Sequence, residues 1–231
     1  MSDERELLLE LALCDAKCQW AGREENCKEE RKPPKLSDCE AIELFAGGKF
    51  VGLPKKEQSE KLRDFLTTYE VARNFSKEQK NNLIKPLLDL REKGIRAQVN
   101  HLIHTPLLVE ELVCAFQVGQ SNLSRRITAA SKLAMFMYPT DRIFIYDGVA
   151  GRAIRKRRGE NTTGNYSKFW NLCKKELEKE MKKEDFTNAV TDFKAFVKKF
   201  TPYIPRQDLD RADFFERRLF DKLLWREGQQ V

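Results

Sequence analysis

The sequence predicts an all-α fold of many helices, with at most very short strands. Apolar residues recur at helical spacing in nearly every segment of the 231-residue chain, and capping residues, glycines and prolines separate the segments. The one strand-like run is Ile-Phe-Ile-Tyr at residues 143–146, which is short and apolar. The chain has no internal repeat and no low-complexity tract, so solenoid architectures are not expected.

The N-terminal helices are predicted from apolar stripes and from their caps. Leucines on one side indicate a first helix over residues 4–20. Ser37, followed by Asp38, can cap a short helix over 39–46, which two glycines end. Two amphipathic helices follow over 57–73 and 76–93. A serine caps the second of them, and a proline inside it predicts a kink.

A helix pair is expected next, and further helices complete the chain. The pair covers residues 106–118 and 122–137, with a glycine-containing link between its members and Pro139 ending the second. Beyond the strand-like run, the helical spacing predicts helices over 147–158, 165–183, 186–200 and 210–227. We divide the chain into an N-terminal helical region (1–105) and a helical core with C-terminal helices (106–231), packed as one globular unit.

Charge is concentrated in residues 121–158. This segment carries nine Lys or Arg and two Asp, a balance of +7 that equals the formal net charge of the whole chain. Such a basic segment favours nucleic acid or an acidic surface as partner. No apolar run is long enough to span a membrane, and the N-terminus lacks the features of a secretory signal. We therefore expect a cytoplasmic monomer whose six cysteines are free thiols.

Asp147 is the most informative residue of this segment. It follows the apolar run 143–146 and precedes the helix 147–158, so its ordinary role would be that of an N-cap. The preceding helix, 122–137, has an apolar stripe beside a polar one that includes Thr128 and Lys132. A carboxylate between two basic helices suits a protein that grips a polyanion and acts on it.

The order of elements from about residue 107 to residue 158 resembles the catalytic core of helix–hairpin–helix DNA glycosylases, in the branch with the 8-oxoguanine glycosylase fold. The sequence motifs that best match the family are Thr-Ala-Ala-Ser-Lys at 128–132 and Ile-Tyr-Asp-Gly-Val at 145–149. The resemblance implies that Asp147 lies at the mouth of a base pocket. There it would stabilise the positive charge that develops on the deoxyribose, or orient the attacking water.

The chain departs from that family at the nucleophile. Bifunctional members carry a lysine nineteen residues before the Asp, where this chain has Thr128, which cannot form a Schiff base. Lys132 lies one helical turn later and is a displaced candidate amine, so we list it with Asp147 as a catalytic candidate. The departure favours a monofunctional enzyme that uses water as the nucleophile.

The DNA contacts are predicted from the hairpin and from the basic cluster. Where the family has closely spaced hairpin glycines, this chain has Ser124-Arg125-Arg126, and arginines would hold the phosphate instead. Four consecutive cations end the helix 147–158, which is more than a helix dipole requires. The predicted DNA-binding residues are Ser121, Asn122, Arg125, Arg126, Arg152, Arg155, Lys156, Arg157 and Arg158.

Three residues of the last helix are candidates for lining the base pocket. Phe215, Arg218 and Trp225 lie in a stretch whose aromatic stripe is more often core, although a flipped base needs an aromatic stacking surface. The N-terminal cysteines, spaced C-x3-C-x8-C-x11-C, match no familiar metal site, and the two histidines lack further ligands nearby. We predict no metal and no cofactor.

The residues thus predict a monofunctional DNA glycosylase that hydrolyses the N-glycosidic bond of a damaged or modified base flipped from DNA. Its role would be repair or defence against modified foreign DNA. An alternative is a non-catalytic nucleic-acid-binding protein on a degenerate glycosylase scaffold, which the missing hairpin glycines and Thr128 favour. A third class, an all-α interaction protein, would show no salt-dependent binding to DNA.

Overall fold

A computed structural model describes residues 2–22, 36–46, 49–69, 106, 109–110, 112–113, 123–200 and 206–230. Its helices are α1 (Ser2–Ala21), α2 (Asp38–Phe45), α3 (Lys49–Gly52), α4 (Lys55–Thr68), α5 (Leu123–Met137), α6 (Gly148–Arg158), α7 (Tyr166–Glu180), α8 (Glu184–Phe200), α9 (Arg206–Arg211) and α10 (Phe214–Gln229). No strand occurs among the described residues, so the all-α prediction is confirmed.

Most predicted helices are confirmed with shifts of a few residues at their ends. The helix predicted over 210–227 is two helices, because Asp213 adopts a left-handed backbone conformation (φ 53°) that separates α9 from α10. The prediction over 76–93 lies outside the described residues. Of 106–118, the structure describes five residues, and all five are helical.

Helix α10 is the central helix of the fold. It packs against α1, α6, α7, α8 and α9, and it buries residues on every side, including charged ones. One side contributes to an aromatic cluster in which Trp20 of α1 meets Phe193, Phe214 and Phe215 edge-on or tilted. The first helix of the chain is thereby held against the last.

Helix α5 packs against α2, and aromatic residues join it to α4. The small residues Ala129, Ala130 and Ala134 of α5 are buried. Phe65 and Tyr69 at the end of α4 stack with Phe136 of α5, with ring centroids 4.6–5.7 Å apart. Helix α2 begins with a complete capping box between Ser37 and Glu40, as its sequence predicts.

The connection between α5 and α6 is extended, but it is not a strand. Residues 143–146 are buried, and none of them lies in a strand; Ile143 N donates to Asp141 O within the same loop, at 2.8 Å, so the strand-like interpretation of this run is wrong. Side chains supply the hydrogen bonds instead. The Tyr166 hydroxyl accepts from Phe144 N and donates to Phe144 O, and the Ser131 hydroxyl accepts from Tyr146 N. The segment is therefore fixed without a sheet.

Helix α6 is held tightly against the C-terminal end of α10. A Cβ added at Gly228 would lie 2.1 Å from the carbonyl oxygen of Val149, so only glycine allows this contact. Arg152 also donates to the Gly228 carbonyl, at 3.2 Å. At its other end α6 stops at Gly159, whose φ of 72° suits glycine. The beginning of α6 is thus placed by direct backbone packing.

Candidate functional site

Asp147 is the N-cap of α6, and only one of its two carboxylate oxygens makes the capping hydrogen bond. Oδ1 accepts a hydrogen bond from Ala150 N at 2.7 Å, and Asp147 has extended backbone angles. Among the described residues, Oδ2 accepts no hydrogen bond, and the side chain is partly exposed. The second carboxylate oxygen of Asp147 is therefore available to a ligand.

A buried arginine of α10 forms ion pairs with two carboxylates. The Arg218 guanidinium donates to both oxygens of Asp38, at 2.5 and 3.0 Å, and to Asp221 Oδ2 at 2.7 Å. It also donates to Gln19 Oε1. Arg218 is 1% exposed and Asp38 is fully buried. We call Asp38, Arg218 and Asp221 the arginine cluster.

The arginine cluster extends to Lys132 through Tyr69. The Tyr69 hydroxyl donates to Asp38 Oδ1 at 2.7 Å, and the Tyr69 carbonyl accepts from Lys132 Nζ at 2.7 Å. Since Tyr69 ends α4, the Lys132 ammonium neutralises the negative end of that helix. The Asp38 charge contributes, after burial, to raising the pKa of the Tyr69 phenol well above its usual value. Tyr69 is therefore a neutral donor.

Electrostatic coupling links the arginine cluster to Asp147. Burial raises the pKa of Asp221, the charges of Arg218 and Lys222 oppose this effect, and the charge of Asp147 adds to it. Lys132 also lowers the pKa of Asp221. Of the residues that the sequence predicts for the site, Lys132 and Arg218 are thus connected through Tyr69 and Asp38.

Lys222 follows Asp221 on α10 and borders the arginine cluster. Burial and the charge of Arg218 lower the pKa of Lys222 to about 8, against the opposing charges of Asp221, Asp38 and Asp15. Within the described part of the chain, Lys222 makes no hydrogen bond or ion pair. Asp15 itself is paired with Arg226, at 2.7 and 2.8 Å.

The basic cluster at the end of α6 is divided between internal and exposed cations. Arg157 forms hydrogen bonds with Glu227 and Glu180, at 2.5–2.8 Å. Against the effect of burial, these carboxylates raise the pKa of Arg157. Arg158 lies 3.4 Å from Glu176, so the prediction that all four cations face DNA needs correction for these two. Arg155 and Lys156 are exposed.

The other predicted DNA-binding residues are less well defined. Arg152 is exposed but donates to backbone carbonyls of α6 and α10. Arg126 is partly buried, and its Nε makes no hydrogen bond to any described residue. Ser121, Asn122 and the Arg125 side chain lie outside the described residues.

The two aromatic candidates of α10 have different surroundings. Phe215 is 1% exposed within the aromatic cluster around Trp20, so the structure favours its interpretation as core. Trp225 is partly exposed and lies one helical turn after Asp221, on the same face of α10. The Arg226 guanidinium lies 5.5 Å from its ring centroid.

Three residues of the arginine cluster and its surroundings, namely Asp38, Tyr69 and Asp221, were not identified from the sequence. Asp38 was visible only as part of a helix cap, and nothing local links it to Arg218, which is 180 residues away. Asp221 offered one signal: it lies three residues after Arg218 on a helix whose aromatic residues indicate burial. A charged pair at that spacing inside a buried helix indicates an internal ion pair.

The described cysteines differ in their oxidation state. Cys14, Cys39 and Cys173 are thiols, but Cys18 is disulfide-bonded, so the prediction of free thiols is wrong for Cys18. Burial, with Glu43, Glu40 and Asp38, raises the pKa of Cys39 to about 11. Among the described residues, no group of His, Cys, Asp and Glu could hold a metal ion.

Comparisons with protein-family models, with curated proteins and with solved structures find no match to this chain. The resemblance to helix–hairpin–helix glycosylases thus rests on the residues quoted above and remains a prediction. In the part of the chain that the structure describes, no helix has the length and apolar character needed to cross a bilayer.

Proposed function

We propose that the protein is a monofunctional DNA glycosylase that hydrolyses the bond between deoxyribose and a damaged or modified base flipped from DNA. The observation that carries the proposal is the Asp147 carboxylate, which caps α6 through one oxygen and leaves the other open. The charges that act on Asp221 of α10 also support the proposal, because they include those of Asp147 and Lys132.

The chemistry requires one carboxylate beside the sugar. As the bond between C1′ and the base nitrogen breaks, its electron pair leaves with the base and positive charge develops on the sugar. The open oxygen of Asp147 stabilises that charge electrostatically and accepts a proton from the water that attacks C1′. The hydrogen bond from Ala150 N keeps the carboxylate oriented, and Gly228 holds α6 in position.

The position of Lys132 supports water rather than an amine as the nucleophile. Its Nζ donates a hydrogen bond to the Tyr69 carbonyl at the end of α4, at 2.7 Å, and this contact holds the side chain in a structural role. Lys132 is thus a positioning residue in this proposal, and Thr128 offers no amine.

The exposed cations support a DNA partner. Arg155 and Lys156 lie near the end of α6, the helix that Asp147 caps, and both are exposed. Arg155 and Lys156 lie eight and nine residues after Asp147, so at about 1.5 Å per residue they are roughly 12–14 Å along the helix from it. A phosphate held there would be a few nucleotides from a base at Asp147.

The test is release of free base from duplexes that carry one oxidised, alkylated, deaminated or phage-type modified base each. We expect release of at least one base, leaving an intact strand that breaks only on treatment with alkali or heat. Borohydride added during the reaction should trap no protein–DNA adduct. If base is released and borohydride traps an adduct that is absent in Lys132→Ala, then Lys132, and not water, is the nucleophile. DNA binding without any base release would favour the non-catalytic nucleic-acid-binding protein.

A further inference from the structure

Ser131 lies near the middle of α5, and its side chain is fully buried. Its hydroxyl donates a hydrogen bond to Thr128 O, at 3.2 Å, and accepts one from Tyr146 N, at 3.0 Å. A hydroxyl has a single hydrogen to donate, and here Thr128 O accepts it. A lone pair of the Ser131 oxygen therefore faces Tyr146 N, and this contact joins α5 to the residue that precedes Asp147.

The extended run 143–146 is held by side chains from α5, α7 and α10, and Ser131 binds it closest to Asp147. Arg217 and Tyr166 bind the backbone of the first two residues of the run, at 2.7–3.3 Å. Ser131 binds the last one. Its hydrogen bond is therefore the side-chain contact of the run that bears most directly on the position of Asp147.

Asp147 is supported from both directions along the chain. Before it, Ser131 binds Tyr146 N, and the Tyr146 hydroxyl accepts a hydrogen bond from Gly164 N at 3.2 Å. After it, α6 is packed closely against Gly228. A carboxylate that acts on a sugar requires this kind of support, since a displacement of about 1 Å can cost roughly 100-fold in rate.

We infer that Ser131 is a positioning residue of the proposed reaction. The serine acts through the Tyr146 backbone, which it fixes so that the Asp147 carboxylate keeps its place beside the sugar. The inference rests on the proposed function and gives α5 a part in it, because the hydroxyl ties the residue before Asp147 to that helix. Loss of the hydroxyl should slow base release and leave the affinity for DNA unchanged.

The experiment compares Ser131→Ala with Tyr166→Phe, the matched control. Both variants remove a buried hydroxyl that binds the run 143–146, but Tyr166 binds Phe144, three residues before Asp147. Ser131→Thr tests rescue, because a threonine hydroxyl in a helix can donate to the same carbonyl. The full chain is used with duplexes that carry one uracil, 8-oxoguanine, 7-methylguanine or 5-hydroxymethyluracil.

Three quantities are measured: the single-turnover rate of base release, the affinity for an abasic duplex, and the hydrogen exchange of the Tyr146 and Ala150 amides. Ala150 N reports on Asp147, because it donates to the capping oxygen at 2.7 Å. In Ser131→Ala we expect release to slow by about 10- to 100-fold, the affinity to stay unchanged, and both amides to exchange faster. In Tyr166→Phe and Ser131→Thr the rate should stay within about threefold of the wild type, because the support next to Asp147 is kept.

Two results would overturn the inference and leave the proposed function standing. One is release by Ser131→Ala at the wild-type rate. The other is an equal loss of rate in Tyr166→Phe, which would mean that any loosening of the run 143–146 has the same effect. If Ser131→Ala does not fold, the wild type decides: a Tyr146 amide that exchanges as fast as in an unfolded peptide overturns the inference, and a protected amide with rescue by Ser131→Thr supports it.

Failure of the proposed function gives a different result. If the wild type releases no base from any of the duplexes, the hydrolysis is overturned, and the role of Ser131 in it is overturned as well. The exchange of the Ala150 amide in Ser131→Ala then shows separately whether Ser131 holds the cap of α6.

Discussion

Arg217 and Arg218 are consecutive residues of α10, each 1% exposed, and the fold uses them differently. Arg217 donates to three backbone carbonyls, those of Pro139, Ile143 and Ala212, at 2.7–3.2 Å. Arg218 donates mainly to carboxylates, as described above. One guanidinium therefore binds neutral dipoles, and its neighbour binds negative charges.

The two environments change the arginine pKa in opposite directions. Burial lowers the pKa of Arg217 to about 10, since carbonyls compensate the lost hydration only in part. Arg218 suffers the same burial, but the charges of Asp38 and Asp221 outweigh it and raise its pKa. Both side chains remain cations at neutral pH.

The different partners give the two arginines different roles in the fold. Arg217 fixes the extended segment between α5 and α6, which has no sheet to hold it and which leads to Asp147. Arg218 instead orients Asp221 and leaves one of its oxygens open. Arg217 is thus tied to the backbone of that segment, whereas Arg218 is tied to the charged side chains of α2 and α10.

The largest expected effect is that of Arg218→Met, which leaves Asp38 and Asp221 buried without a cation. We expect a loss of about 3–5 kcal/mol of unfolding free energy at pH 8. The pKa of Asp221, already raised by burial, should rise further, so the penalty is full above that pKa and shrinks as the pH falls through it. Denaturant unfolding at pH 4 and pH 8 measures this, and an equal loss at both would contradict the ionic interpretation.

Arg217→Met is the matched change, and its effect should be smaller and independent of pH. Three carbonyls lose their donor, at a cost of about 2–3 kcal/mol, and carbonyls do not titrate. Unfolding at pH 4 and pH 8 should give the same difference from the wild type. If the lost unfolding free energy were recovered at low pH, carboxylates and not carbonyls would be the partners that stabilise Arg217.

Gly228→Ala tests whether backbone packing positions Asp147 relative to the arginine cluster. The new Cβ meets the Val149 carbonyl at 2.1 Å, so α6 must move, which we expect to cost about 1–3 kcal/mol and to slow base release. Gly148→Ala, at the first position of α6, is the control, because its Cβ meets nothing within 4 Å. Similar results for the two variants would show that α6 is not held by this contact.

The smallest effect is expected from exposed charge at the end of α6. Arg155→Gln should leave the thermal stability within about 0.5 kcal/mol and reduce the salt dependence of DNA binding by about one counterion. Lys175→Gln removes an equal, exposed charge from α7 and is the control. Titrations at several salt concentrations measure both, and identical slopes would remove Arg155 from the DNA contact.

The elements governed by local rules could be predicted from the sequence. The cap at Asp147, the glycine end of α6 and the capping box of α2 all depend on residues within a few positions of one another. The break at Asp213 could not be predicted, because a left-handed aspartate leaves no clear mark in the sequence. The same limit applies to the short helix α3.

The errors in the site have one physical origin, which is that partners distant in sequence decide what a charge or a backbone group does. The basic cluster of α6 suggests four DNA contacts, but glutamates of α7 and α10 neutralise Arg157 and Arg158. The run 143–146 suggests a strand, but Tyr166, Ser131 and Arg217 supply its partners. None of these pairings can be read from spacing.

Asp147→Asn is the measurement that tests the central claim most directly. Asparagine is as good an N-cap as aspartate, so α6 and the overall stability should be preserved, while the negative charge beside the sugar is lost. We predict a fall of at least about 100-fold in the rate of base release, with unchanged affinity for abasic DNA and unchanged thermal unfolding. A stable Asp147→Asn variant that releases base at the wild-type rate would contradict the assignment of Asp147 as the catalytic carboxylate.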